Sequence, residues 1–363
     1  MKKALVVLMV LAMALSMFVG CAGNGGKSGA LNVSVFFYDY SDTYIGSVRA
    51  AMEEGLKAEN IAYTFYDAAS DQSKQTTQVE TALTQGSNLL IVNIVTTGSD
   101  EAAMNIVEAA KAKGVPVIFF NREVSNDVVN SYEKCCFVGT DADEAGYMQG
   151  QMIYDFLTAE GNMAKYDLNG DGKINYLMFR GELGNAEAFG RTLYSVSNAN
   201  TLFGSTVLVP SAANQTDSTQ PDDGVSPYYL YGNWSAANAK NLMDTALTTY
   251  SLTNGDIEIV IANNDDQALG AIESMNEKGF NTGSADSYIP VFGVDATAVA
   301  QDAIANGKMT GTIKQDAQGM ADGIIYLAKN IGAGKELMAD TASFNVDEGV
   351  AKIRIPYAIF TGK

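Results

Sequence analysis

Ile257-Glu-Ile-Val-Ile-Ala262 runs without a break into Asn263-Asn-Asp-Asp266 and then into Gln267-Ala-Leu-Gly-Ala-Ile-Glu-Ser-Met275. The first six residues are apolar and β-branched apart from Glu258, the pattern of a strand covered on both faces. Ala268, Ile272 and Met275 recur at helical spacing, so a helix follows at once. Asn263, Asn264, Asp265 and Asp266 therefore sit at the carboxyl end of a buried strand. In open α/β sheets this is where ligands bind. Glu258, a carboxylate at the start of the same strand, has no such explanation and invites a metal at the opposite end.

The same alternation extends in both directions. Val33 to Phe37, Tyr63 to Tyr66, Leu89 to Ile94, Val115 to Phe120 and Cys136 to Val138 read as strands separated by helical patterns. After Thr140 the rhythm restarts with Tyr176 to Phe179, a helix near Ala186 to Ala199, and Thr206 to Val209. Ile257 to Ala262, Pro290 to Gly293, Met309 to Ile313 and one last strand near Ile353 to Ile359 complete it. This order predicts an α/β fold of two doubly wound, Rossmann-like parallel-sheet domains. The polar stretch 212–232 interrupts the pattern and reads as a surface insertion, because structureless loops of that length are rare inside compact domains.

The chain has 363 residues, 47% of them hydrophobic, enough for two cores. Lys2 and Lys3, the apolar run Ala4 to Val19, and Gly20 before Cys21 form a signal peptide over residues 1–20. Phe18-Val19-Gly20-Cys21 is similar to a bacterial lipobox, with Cys21 as the lipidation site; cleavage without lipid is the alternative. Residues 21–30 then make a flexible tether. Of 23 Lys and Arg, the two leader lysines are lost, so 21 basic residues face 42 acidic ones, a balance of −21. So acidic a surface disfavours nucleic acid and anionic lipid. Adjacent Cys135 and Cys136 read as buried, reduced thiols, since neighbouring cysteines bridge only under strain. The chain contains no His, which removes the commonest general base and zinc ligand.

Asp167-Leu-Asn169-Gly-Asp171-Gly-Lys173-Ile-Asn175 is the sharpest local motif. Oxygen side chains stand at positions 1, 3, 5 and 9, Gly stands at 6, and Lys173 at 7 would offer its carbonyl, as in a calcium loop. Position 12 is Met178 rather than the usual Glu, and no flanking helix pair is evident. Glu258 is the natural supplier of the missing carboxylate. The expected cofactor is thus calcium, structural because it lies a whole strand away from Asn264. The alternative is an Asx-rich turn that merely caps a strand.

With these residues in view, the chain resembles a galactose/glucose-type substrate-binding protein of a bacterial ABC importer, of the periplasmic binding protein type I class. The resemblance is carried by Asp71-Gln-Ser-Lys-Gln75, Val117-Ile-Phe-Phe-Asn121-Arg-Glu123, Val138-Gly-Thr-Asp141, the loop at Asp167, Ile259 to Asp265, Val291-Phe-Gly-Val-Asp295 and Gly311-Thr312. It implies that Asp42 accepts from a sugar 4-hydroxyl, and that Tyr44 and Trp234 sandwich the pyranose. It implies further that Asn121, Arg191, Asn264 and Asp295 bind hydroxyls. Asn185, Glu187 and Gln315 occupy sugar-site positions where better-known members carry His, Asp and Asn. Those three departures bear on the preferred epimer and the anomeric contacts. The resemblance also implies a calcium loop completed by a distant Glu.

A hexose has apolar C–H faces and a hydroxyl rim, so aromatic plates with planar polar groups suit it independently of any resemblance. Asp42 and Asp295 also precede helices and could serve only as caps.

The expected function is capture of galactose, glucose or a methyl-galactoside between two lobes, with delivery to a permease and its ATPase subunit, or presentation to a chemoreceptor. Lobe boundaries fall at 31–140 plus 316–353 and 141–315 plus 354–363. Three crossovers near Gly139-Thr140, Gln315 and Pro356 form the hinge. The protein is expected outside the cytoplasm, a lipid-anchored monomer or a periplasmic one. Another monosaccharide and a sugar sensor are the nearby alternatives. A glycosidase using two of Asp42, Glu187 and Asp295 is the enzymatic one. A transcriptional regulator is disfavoured by the secretory leader and the acidic charge.

Overall fold

The computed structural model describes residues 31–214 and 228–362. The expected signal peptide, Cys21 and tether lie outside the described residues. The first half opens with β1 (Asn32–Phe37), α1 (Thr43–Ala58), β2 (Ala62–Asp67), α2 (Gln72–Thr84) and β3 (Leu89–Val92). It continues through α3 (Glu101–Lys111), β4 (Val117–Phe120), α4 (Asn126–Asn130) and β5 (Cys135–Gly139). Along β1 the side chains alternate. Val33, Val35 and Phe37 pack with Ile45, Val48 and Met52 of α1, whereas Phe36 packs with Val79 of α2 and Val107 of α3. That period of two on a strand with both faces buried is why the helices lie on both sides of the sheet.

The second half contains α5 (Ala142–Thr158), α6 (Asn162–Tyr166), β6 (Ile174–Arg180), α7 (Ala186–Phe203), β7 (Leu208–Pro210) and β8 (Leu230–Tyr231). There follow α8 (Ala236–Ala246), β9 (Ile259–Ala262), α9 (Asp265–Glu277), β10 (Val291–Asp295), α10 (Ala298–Ala305) and β11 (Gly311–Gln315). The chain then returns through α11 (Ala317–Gly332), β12 (Asn345–Val346), β13 (Lys352–Arg354) and β14 (Tyr357–Phe360).

Two seven-stranded sheets result, ordered β12-β13-β5-β4-β3-β1-β2 and β14-β11-β10-β9-β6-β7, with β8 paired to β6 beyond the end of β7. Among the described residues, all pairings are parallel except those of β12 with β13 and of β14 with β11. The chain crosses between the sheets after Gly139, after Gln315 and at Ile355-Pro356. α11 packs on α1 in the first half, with Met320, Ile324 and Leu327 in the same core as Met52 and Leu56.

Three features differ from the sequence reading. The single strand near Ile353 to Ile359 is two strands in different sheets. β13 pairs parallel with β5 and β14 pairs antiparallel with β11, so Pro356 marks a passage between sheets. Arg354 belongs with the first sheet, one residue past the expected boundary. The ends of the expected insertion 212–232 are part of the core. Ala213 and Asn214 are buried, and Asn214 pins β6 by accepting from the Met178 N–H at 2.9 Å and donating to the Tyr176 carbonyl at 2.8 Å. Leu230 joins the sheet from the other end; residues 215–227 lie outside the described residues. Cys135 and Cys136 are free and buried, and burial pushes the Cys135 thiol up to about 12.

Candidate ligand cleft and the loop at Asp167

Where the carboxyl ends of both sheets face each other lies a cavity with about 390 Å³ of atom-free space, part of it open to solvent. Its wall contains Asp42, Tyr44, Asn121, Asn185, Glu187, Arg191, Trp234, Asn264, Asp295 and Gln315, so all the residues assigned to a sugar site from sequence meet here. Tyr38 and Arg122 complete the wall and were not singled out beforehand.

Several wall residues owe their place to helix capping. Asp42 accepts from the Ile45 N–H at 2.8 Å, Asn185 from the Ala188 N–H at 3.1 Å, and Asn264 from the Gln267 N–H at 3.0 Å. Each such bond satisfies a helix N-terminal donor and fixes the side chain at a strand–helix junction. Capping and cavity lining are thus one arrangement. Asp295 is not a cap: α10 is capped by Thr297, which accepts from the Ala300 N–H. Asn121, Asn233, Trp234 and Asp295 have φ of 60°, 48°, 64° and 125°. A non-glycine residue in such a conformation costs about 1–3 kcal/mol and persists only where its surroundings enforce it. Trp234 lies tight against Gly181, where any Cβ would come within 2.3 Å of the indole.

The floor of the cavity is a buried polar cluster. Arg191 donates to the Asn263 carbonyl at 2.9 Å, Glu187 at 2.7 Å, Tyr357 Oη at 2.8 Å and Gln315 at 3.1 Å. Glu187 also accepts from Thr140 at 2.6 Å and from Tyr357 Oη–H at 2.7 Å. Arg191 sits 5.8 Å from the Trp234 ring and 3.9 Å from Asp295. Burial pushes the Asp295 carboxyl well up, against the opposing pull of Arg191. On the other wall, Tyr38 Oη–H donates to Asp42 at 2.6 Å and the Arg122 guanidinium stacks over the Tyr38 ring at 4.2 Å. Arg122 is ion-paired with Glu182 across the cleft, and Thr43 bonds to Asp266 at 2.9 Å. These contacts hold the two halves against each other.

Three carboxylates and two guanidiniums line the cavity. The balance suits a neutral ligand rich in hydroxyl donors and opposes an anion. Tyr38, Tyr44 and Trp234 supply aromatic faces. Tyr38 follows a buried strand directly, and Arg122 follows Asn121, so position alone could have marked both. Tyr357 and Thr140, which brace the floor, come from separate crossovers; Thr140 stands in the motif Val138 to Asp141 but its contact with Glu187 is not local, and Tyr357 carries no motif.

In the loop, Asp167 accepts from the N–H groups of Gly170, Asp171 and Gly172 at 2.8–3.1 Å, and Asn169 from that of Asp171 at 3.0 Å. Lys173 N–H donates to Asp171, and Asn175 donates from its amide to the Gly255 carbonyl at 2.6 Å. Glu258 is fully buried just before β9, and its two oxygens accept from the Leu168 and Asn175 N–H groups, both at 2.6 Å. Gly255, at φ +90°, lets the chain pass so close to Asn169 that a Cβ would meet it at 2.7 Å. Among the described residues no three Asp, Glu, Cys or His side chains form a metal cluster. The donor set still fits a hard cation, because it is all oxygen.

Residues 33–336 match the family described as periplasmic binding protein domain, and the chain belongs to that family. Over 326 residues it is 32% identical to the D-galactose/methyl-galactoside binding periplasmic protein MglB of Haemophilus influenzae, covering 90% of this chain and 88% of that protein. An ABC transporter solute binding protein of Bacillus halodurans with bound myo-inositol superposes with a TM-score of 0.69 at 24% identity, covering 93% of this chain and 96% of that one. One from Clostridium phytofermentans with bound β-D-glucose gives 0.69 at 21% identity, covering 91% and 94%. The fold is that of a two-lobed periplasmic binding protein, and the protein is a binding protein rather than an enzyme. Among the described residues no helix is long and apolar enough to cross a membrane.

Proposed function

We propose that this protein is the extracytoplasmic sugar-binding component of an ABC importer, and that it captures galactose or glucose between its two halves. The observation that carries the reading is the convergence of aromatic faces, hydroxyl-binding amides and a buried Arg191 on one cavity of about 390 Å³. Arg191 is held by four neighbours before any ligand arrives, so little ordering remains for binding to impose. Hydrogen bonds to charged groups contribute roughly 1.5–3 kcal/mol each. A few of them, less the cost of immobilisation, suit micromolar affinity near about −8 kcal/mol. The similarity to the Haemophilus protein favours galactose, and the Clostridium neighbour with its bound glucose supports a hexose.

A second reading, a different monosaccharide or a cyclic polyol, is favoured by one observation. Glu187 and Gln315 spend their bonds on Arg191, Tyr357 and Thr140. This leaves that end of the cavity less prepared for an anomeric hydroxyl.

The loop side chains Asp167, Asn169, Asp171 and Asn175, the Lys173 carbonyl and Glu258 would hold a calcium ion. When bound, the ion would neutralise the carboxylates of Asp167, Asp171 and Glu258 and brace the second half. The sugar would pass to a permease and its ATPase subunit, with a chemoreceptor as a further recipient. Cys21 would tether a monomer to the membrane through lipid.

Calorimetry against galactose, glucose, xylose, ribose and myo-inositol, read alongside the fluorescence of Trp234, tests the reading. Saturable micromolar binding of a hexose is expected. Flat titrations with the whole panel would refute a sugar cleft.

A further inference from the structure

The inner cavity is not the end of the cleft. A second space, open on one side to solvent, adjoins it and contains about 1270 Å³ free of atoms, roughly three times the inner volume. The two share Tyr38, Asp42, Arg122 and Trp234, so one passes into the other over a common edge. Beyond that edge the chemistry of the inner site recurs. Tyr231 adds an aromatic ring and fixes the Asn233 side chain by donating to its amide oxygen Oδ1 at 3.1 Å. Trp234 belongs to both walls. Asp39 is already oriented: it accepts from the Ser41 N–H and hydroxyl and from the Ser70 hydroxyl at 2.6–2.8 Å. Carboxylates outnumber cations around this space, with Asp39, Asp42, Glu182 and Asp266 against Arg122. An anionic substituent is therefore repelled and a neutral polyhydroxylated one accepted.

We propose that the cleft accepts a neutral disaccharide or comparable glycoside, one sugar ring in the inner cavity and the second in the outer space between Trp234 and Asp39. This rests on the sugar reading above and extends it from a monosaccharide site to one with a second subsite. The outer ring stacks on the aromatic faces at the shared edge, and its hydroxyls donate to Asp39.

The test is calorimetry of the mature protein with galactose, glucose, and 1→4- and 1→6-linked disaccharides of the two. Two variants fill the outer space from opposite sides, Ala237→Trp and Ser41→Phe; both residues border it and not the inner cavity. At least one disaccharide is expected to bind within tenfold of the free hexose. Each variant should weaken that disaccharide at least tenfold while holding the hexose within twofold, which also reports a folded protein. Hexose binding with no disaccharide binding overturns the second subsite, as does a disaccharide affinity that neither variant changes. Absence of binding by every sugar overturns the sugar reading itself.

Discussion

Replacing Tyr357 with Phe removes one oxygen and leaves the ring. That oxygen takes a bond from Arg191 at 2.8 Å and gives or shares bonds with Glu187 at 2.7 Å and Thr140 at 2.9 Å, at a site only 5% exposed. Glu187 keeps Arg191 and Thr140 after the change, and Arg191 keeps Glu187, Gln315 and the Asn263 carbonyl. No charge is therefore stranded, and the loss is that of two charge-assisted bonds at about 1.5–3 kcal/mol each, softened by the partners that remain. About 2–4 kcal/mol of stability should go, read as a lower urea midpoint at constant slope. Hexose affinity should fall about tenfold, or ~1.4 kcal/mol, because Arg191 becomes less fixed. Tyr326→Phe is the control. Its hydroxyl donates to the Asp340 carbonyl at 2.7 Å on the exposed side, and its removal should cost less than about 0.5 kcal/mol. Equal, small effects from both variants would refute the idea that the floor cluster organises the site.

Two further outcomes follow from buried carboxylates. Adding calcium at a hundredfold its Kd should stabilise the wild type by about 2.7 kcal/mol, and Glu258→Ala should lose most of that increment; an undiminished increment would remove Glu258 from the ion's ligands. Asp265 is pushed up to about 7, chiefly by burial, against bonds from Thr312 and Thr297. Unfolded, it ionises near its ordinary 3.8, so between about pH 4 and 7 the folded state holds the extra proton. Stability from this group is complete below that window and is lost as pH rises through it. Denaturation midpoints of Asp265→Asn should decline less steeply than wild type from pH 4.5 to 7.5, and identical slopes would contradict this.

Much of the architecture was visible because its signals are local. Ile259 to Ala262 reads as a buried strand from four residues, and the polar residues after it fall at a helix start, so Asn264 was legible as a site residue. Asp42 was legible for the same reason, as a cap before a helix, whereas Asn185 came only through the resemblance and its capping role only from the structure. What stayed hidden depends on pairing between distant segments. Nothing local to Ile353 to Ile359 says that Pro356 separates strands of different sheets. Asn214 resembles any loop residue until β6 is seen to bond with it. The brace of Tyr357 and Thr140 under Arg191 joins residues more than 160 positions apart, a relation that periodicity cannot express.

All three links between the halves end at the same guanidinium and carboxylate. Thr140, Gln315 and Tyr357 each belong to a different crossing, and each bonds to Arg191 or Glu187. Whatever tugs on that ion pair is felt simultaneously by every covalent strap holding the jaws together. Grafting cleft contacts from a relative without the matching strap residues would thus transplant which sugar is recognised, but not how long the jaws stay shut around it.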